Sequence, residues 1–272
     1  MFGNEEKGKK YSELEDEMME VLMSEHWNGG IGGFLDIGPH EEEGEFRQEV
    51  DVLCVGDGMR GRATIKGDYE EVLRMKGGKR LERDELRKFE GCPSSTPYFG
   101  AIGAEIKPIF KPTNTNYEVK QVPRIGYVTI FPLLLQLLEP DDPKLVSLLD
   151  LVESHLLSRH GLTSLSSSDK YYQRENGPGD APYWRGPIWM PINYLALSSL
   201  HHYASTPSPI QSRSSSLYSS LRSSLLNTVS SSHTSTGYFW EQYDDKSGEG
   251  RRGHPFTGWT SLYLNILKEI YH

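Results

Sequence analysis

Two stretches of this 272-residue chain place flat aromatic rings beside charged groups just ahead of an apolar run. The first, APYWRGPIWMPINY at 181–194, carries Tyr183, Trp184, Arg185 and Trp189. The second begins GYFWEQYDD at 237–245, carrying Trp240, Glu241, Tyr243 and Asp244, and Phe256 and Trp259 follow close behind. Sugar rings offer C–H patches that stack on aromatic faces, and hydroxyls that bond to arginine and carboxylate, so this mixture suits a carbohydrate pocket. A glutamate next to tryptophan is partly desolvated, which favours its taking up a proton. Glu241 is therefore a candidate general base.

The same residues suit a packed core with ordinary ion pairs, and composition alone does not separate the two uses. Their equivalent positions, each before a helix start, favour a shared site. Other features point to less chemistry. His201, His202 and His254 have no acidic or cysteine partner at ligand spacing, so they read as surface or packing residues, and no metal site is expected. GDGMRG at 56–61 lacks the strand and helix context of a nucleotide loop, and Glu41 to Glu43 read as a solvated loop.

Composition bounds the partners. The net charge of −9 and a pI near 5.5 argue against a nucleic-acid partner, which needs a basic face to displace counterions. Mean hydropathy is −0.56 and no run approaches the 18 or more apolar residues of a spanning helix, so no membrane segment is expected. The polar residues after Met1 do not read as a signal peptide, and no Asn-x-Ser/Thr sequon occurs. Cys54 and Cys92 allow at most one disulfide and leave the redox compartment open.

The elements that must position these residues read as helices. Tyr11, Leu14, Met18 and Leu22 recur at helical spacing, with Ser12 and Glu15 as a capping box. NGGIGGFLDIG then gives a turn and a short extended piece. Residues 39–121 are charged and glycine-broken and read as a loop-rich excursion. GYVTIFPLLLQLLE and PKLVSLLDLVESHLL read as a helical hairpin joined by EPDDP. A helix opened by Pro191 should turn Ile192, Leu195 and Leu200 inward. Another, serine-rich, carries Leu217, Leu221, Leu225 and Val229 at four-residue spacing, and a last begins near Phe256. Six helices and no strand ladder predict an all-α protein of paired helices.

The ordered stretches GYVTIFPLLLQLL, APYWRGPIWMPINYLALSSLHHY, TGYFWEQYD and HPFTGWTSLYLNIL closely resemble the C-terminal part of the catalytic domain of the mannosyl-oligosaccharide glucosidases (processing α-glucosidase I), glycoside hydrolase family 63. The resemblance is strong over residues 122–272 and weak over 11–37. It implies an (α/α)6 barrel that removes the terminal α-1,2-linked glucose from a triglucosylated N-glycan precursor, with inversion, without cofactor, in the endoplasmic reticulum. It implies Glu241 as the base, Tyr183, Trp184, Arg185 and Trp189 at the glucose pocket, and Phe256, Gly258 and Trp259 near it. Trp240 and Tyr243, beside the base in the same motif, are expected to bind substrate with them. A trehalase-like or other α-glucoside hydrolase of this fold group, or a carbohydrate-binding module without catalysis, are the alternatives.

Inversion also needs a second carboxyl group roughly 6.5 to 9.5 Å from the base, to protonate the leaving oxygen. The family's acid lies in a GLDDYPR-like segment that this sequence does not contain. Asp36 and Asp244 are the nearest alternatives, and neither matches that motif. Six helices are half of a twelve-helix barrel, so the resemblance implies a C-terminal portion that carries the base, lacks the acid and is inactive alone. His254 and Pro191 stand where relatives carry arginine and asparagine, respectively.

Overall fold

Leu217, Leu221, Leu225 and Val229 recur every four residues, and in the computed structural model all four are buried along one face of a 26-residue helix, Gln211–Thr236. The model describes residues 5–54, 60–65, 86–90, 97–98, 107–113, 118–174 and 182–271. Serine is a mediocre helix former because its hydroxyl competes for backbone groups. Here Ser216 and Ser219 instead bond the carbonyls of Ser212 and Ser215, one turn back, which leaves the helical ladder intact. Gly237 ends the helix in the left-handed conformation, φ 77°, with its N–H on the His233 carbonyl at 2.7 Å.

Chain contacts divide the protein into two units. The first comprises Met1–Gly38, Val119–Gln173 and Tyr183–His272, and it holds all six α-helices found among the described residues. These are α1 (Glu5–Val21), α2 (Phe131–Leu134), α3 (Lys144–Leu151), α4 (Met190–Ser205), α5 (Gln211–Thr236) and α6 (Leu262–Lys268). Helix α4 packs on α2, α5 and α6. Side chains tie these helices together: Ser199 donates to the Leu133 carbonyl at 2.6 Å, and Tyr203 to the Leu138 carbonyl at 2.8 Å. From α5, Arg222 donates to the carbonyls of Ile266 and Leu267, placing a cation at the end of α6 where the helix dipole favours it.

Several helices depart from the expected reading. Helix α1 starts at Glu5, six residues before Tyr11, so Ser12 and Glu15 lie inside it rather than at its start. Its apolar residues Tyr11, Leu14, Met18 and Val21 stand exposed, beside an apolar groove of about 800 Å³ whose far wall includes Phe131, Leu135 and Leu137. The expected long helix over GYVTIFPLLLQLLE is only α2, preceded by a 3-10 turn, Tyr127–Ile130. Gln136 at φ 56° turns the chain away, so that Leu133, Leu134 and Leu138 are buried while Leu135 and Leu137 remain outside. In α4 the buried face is carried by Ala196, Leu197, Leu200 and Tyr203, whereas Ile192 and Leu195 are half-buried. The last helix begins at Leu262, not Phe256, because the intervening residues wrap the site described below.

The expectation of no strand ladder is corrected in the second unit, Pro39–Glu118 with Arg174–Pro182. It contains a five-stranded antiparallel sheet of β1 (Gly44–Cys54), β2 (Arg60–Ile65), β3 (Leu86–Glu90), β4 (Pro97–Tyr98) and β5 (Lys107–Pro112). The long β1 is shared: its first half pairs with β5, from Gly44 opposite Pro112 to Glu49 opposite Lys107. Its second half pairs with β2, from Glu49 opposite Thr64 to Leu53 opposite Arg60. Phe46, Val50 and Val52 share one parity along β1, with Glu45, Arg47, Glu49 and Asp51 on the other, a period-two signal that the surrounding glycines and charges obscure. Residues 56–59 of GDGMRG and Cys92 lie outside the described residues, as does the pairing of Cys54 with Cys92.

Candidate active site

A small set of bridges behind the first unit's helices aligns the two aromatic stretches. Gly126 pairs with Leu165, Thr163 with Ile188, and Ile188 with Tyr243. Ile188 and Tyr243 exchange both backbone bonds, at 2.8 and 3.1 Å, so the residues that follow PYWRG lie directly against WEQY. Asn193, on the first turn of α4 and wholly buried, secures this junction. Its Oδ1 accepts the Leu162 N–H at 2.7 Å, and its Nδ2 donates to the carbonyls of Leu162 and Trp189 and to the Tyr127 hydroxyl. Tyr127 in turn donates to the Leu162 carbonyl at 2.6 Å, and burial pushes its phenol well above the ordinary range.

Against this frame the glutamate is held at several points. The Glu241 backbone N–H bonds the Gly253 carbonyl at 3.0 Å, and its own carbonyl accepts the Trp259 indole N–H at 2.7 Å. Thr260 donates to the neighbouring Trp240 carbonyl at 2.6 Å. The side chain is half-buried. One carboxylate oxygen accepts the Tyr183 hydroxyl and the other accepts the Gly253 N–H at 3.1 Å. The hydrogen bond to Glu241 raises the Tyr183 phenol above its ordinary range, aided by burial.

The rings form a continuous cluster. Tyr183 meets Trp189 edge-on at 4.6 Å and Trp184 edge-on at 6.1 Å, while Trp184 lies flat on Trp189. Trp259 approaches Trp189 at 5.7 Å, and Phe256 approaches Trp259 at 4.8 Å. Trp189 is 1% exposed and Tyr243 wholly buried, so both stand behind the site and support it. Burial pushes the Tyr243 phenol up to about 12. Trp184 is 48% exposed and lines a hollow of about 400 Å³ with Tyr127, Arg124, Ile192 and the exposed Asp36. Trp240 packs over Gly250, where a Cβ would fall 2.0 Å from the indole, and its ring meets His254 at 3.9 Å.

The Arg185 guanidinium centre lies over the Tyr171 ring, 5.1 Å from its centroid. The Arg252 guanidinium centre lies 5.0 Å from the ring of Tyr183, whose hydroxyl bonds Glu241. Asp244 is buried in the turn between Gln242–Tyr243 and Gly250–Arg251, where it accepts the N–H groups of Lys246 and Ser247 and pairs with Arg251. Burial works against its charge, but these amides and the guanidinium prevail and hold the carboxyl below the usual range. Tyr127, Asn193, Arg252 and Gly253 were not singled out in the sequence. Gly253, twelve residues after Glu241, carried only the faint signal of a glycine among charges in GRRGHP.

Among the described residues no group of three His, Cys, Asp or Glu could hold a metal ion, and no helix is long and apolar enough to cross a membrane.

A helical unit that presents a carboxylate among stacked rings is the kind of site found in glycoside hydrolases, and comparison with known proteins bears on which kind. Residues 98–269 match the glycosyl hydrolase family 63 C-terminal domain. Mannosyl-oligosaccharide glucosidase GCS1 of Arabidopsis thaliana is 34% identical over 253 residues, 92% of this chain and 24% of that protein. The "Probable mannosyl-oligosaccharide glucosidase" of Schizosaccharomyces pombe is 48% identical over 212 residues, 77% of this chain and 24% of that protein. Mannosyl-oligosaccharide glucosidase of Saccharomyces cerevisiae is 38% identical over 150 residues, 52% of this chain and 17% of that protein. The chain belongs to glycosyl hydrolase family 63. It spans about a quarter or less of the length of these relatives.

Proposed function

We propose that this chain carries the base half of an inverting α-glucosidase site, within an (α/α)6 barrel of which its helices form part. The substrate is the terminal α-1,2-linked glucose of a triglucosylated N-glycan precursor, in the endoplasmic reticulum. Glu241 takes a proton from the water that attacks the anomeric carbon, opposite the departing oxygen. The observation that carries this reading is the Glu241 carboxylate itself, half-buried in the ring cluster and bonded by one hydroxyl and one backbone amide. Each oxygen keeps lone-pair capacity for a water. The open face of Trp184 and the rings of Tyr183, Phe256 and Trp259 supply stacking surface for glucose, backed by Trp189, while Trp240, over Gly250, and Tyr243, paired with Ile188, hold the segment that carries Glu241. Arg185 contributes to the substrate's surroundings from beside Tyr171.

The leaving oxygen needs a proton from another carboxyl group. Asp244 is a poor donor because its turn keeps it ionised. Asp36, on the hollow that Trp184 lines, has the access but not the family's acid motif. The base can be tested apart from the acid with α-glucosyl fluoride, since fluoride departs without a proton: water bonds to the anomeric carbon, Glu241 takes the water proton and fluoride leaves. The expected result is release of β-glucose, seen by proton NMR, and its loss in Glu241→Gln. Turnover that survives Glu241→Gln, or α-glucose as the first product, overturns the reading.

A further inference from the structure

We propose that Tyr183 acts on Glu241 through its hydroxyl, as a positioning residue that fixes the base, in addition to lending its ring to a sugar-binding wall; this rests on Glu241 being the base.

Three observations converge on the phenol. Its oxygen donates to Glu241 Oε1, while Gly253 donates its N–H to Oε2 at 3.1 Å. The carboxylate is thus gripped by two segments 70 residues apart in sequence, Tyr183 before α4 and Gly253 after the 242–251 hairpin, so rotation about its last bond is restrained. The Tyr183 ring is itself immobilised. It packs edge-on against the buried Trp189 at 4.6 Å, and the Trp189 indole N–H returns to the Tyr183 carbonyl at 3.2 Å. Finally, the chain turns at Arg252 with φ 69°, a left-handed conformation uncommon outside glycine, and this turn delivers both the Gly253 N–H to Oε2 and a guanidinium to 5.0 Å from the Tyr183 ring.

The chemistry follows from the direction of the bond. A hydroxyl that donates to a carboxylate favours its ionised form, and a base must be ionised before it can take a proton. The same bond disfavours the phenolate, so Tyr183 remains a donor at neutral and mildly alkaline pH. A ring used only for stacking needs none of this.

Tyr183→Phe separates the two roles, since it keeps the ring and removes the donor. With α-glucosyl fluoride, kcat is expected to fall about 10- to 100-fold, the range of a hydrogen bond to a charged group, while KM changes little. Unchanged kcat in Tyr183→Phe, with Glu241→Gln inactive, overturns the positioning role and leaves the base assignment standing. Turnover surviving Glu241→Gln overturns the base and this proposal with it. An ultraviolet difference titration against Tyr183→Phe tests the contact without turnover. The Tyr183 phenol should ionise above the ordinary tyrosine range and move back toward it in Glu241→Gln, burial keeping the remainder of the shift. A phenol that titrates alike in both proteins overturns the proposal.

Discussion

Trp184 lies flat on Trp189, ring centroids 3.8 Å apart and planes 12° from parallel. One ring is buried and the other half-exposed, so the pair works as a backed platform: Trp189 holds the plane and Trp184 presents it. The two changes to alanine should therefore differ in kind. Trp184→Ala should weaken binding of glucose or a glucosyl disaccharide, followed by calorimetry, about 10-fold, equivalent to ~1.4 kcal/mol, with little loss of stability. Trp189→Ala should cost about 3–5 kcal/mol in urea unfolding, as expected for emptying a buried aromatic site. Equal effects of both on stability would contradict the platform.

Asn193 exchanges bonds with Leu162 in both directions. In Asn193→Ala the Leu162 carbonyl still has the Tyr127 hydroxyl, but the Leu162 N–H loses its partner in a buried setting. The loss should be about 1–3 kcal/mol, read from the urea midpoint at constant slope. Stability matching the parent protein would show that the junction is held by other means.

Asp244 sets an acid dependence of stability. Its carboxyl is held below the ordinary range in the fold, so its contribution is present in full above the unfolded value of about 3.9. That contribution fades as pH falls through the folded value beneath it. Asp244→Asn should thus be less stable than the parent at neutral pH, with the difference closing as pH is lowered below about 4. A difference that stays constant across the acid range would remove the ion pair and amide bonds as its cause.

Gly253 stands close against the Glu241 carboxylate. A Cβ there would stand 3.2 Å from Glu241 Oε2, tighter than an ordinary contact, and 3.6 Å from the Phe256 ring. Because Gly253 is exposed, Gly253→Ala should leave thermal unfolding nearly unchanged. It should lower α-glucosyl fluoride turnover about 10-fold by displacing the carboxylate, about 1.4 kcal/mol of barrier. Unchanged turnover would mean the carboxylate has slack that the close contact does not suggest.

Local pattern made the helices around the site legible. The four-residue stripe from Leu217 to Val229 is a burial pattern that a helix satisfies on its own, and Pro191 marks the first turn of α4 from its missing N–H alone. The sheet of the second unit was hidden partly because glycines and charges mask the alternation in β1, and partly because one of its pairings is distant in sequence: Gly44 pairs with Pro112, and no local property of either announces the other. The early end of α2 was equally hidden, since it depends on which of several consecutive leucines find a core to enter.

The site divides in the same way. Residue type and order alone determined that rings, an arginine and Glu241 would be gathered near helix starts, because those choices are written position by position and can be read without contacts. Only the tertiary structure decided which rings face outward, that Arg185 sits over Tyr171 while Arg252 comes to Tyr183, and that a tyrosine and a glycine amide grip the Glu241 carboxylate. Those relations are distances between segments far apart along the chain, set by how helices and bridges pack, and packing is not a property of any one stretch.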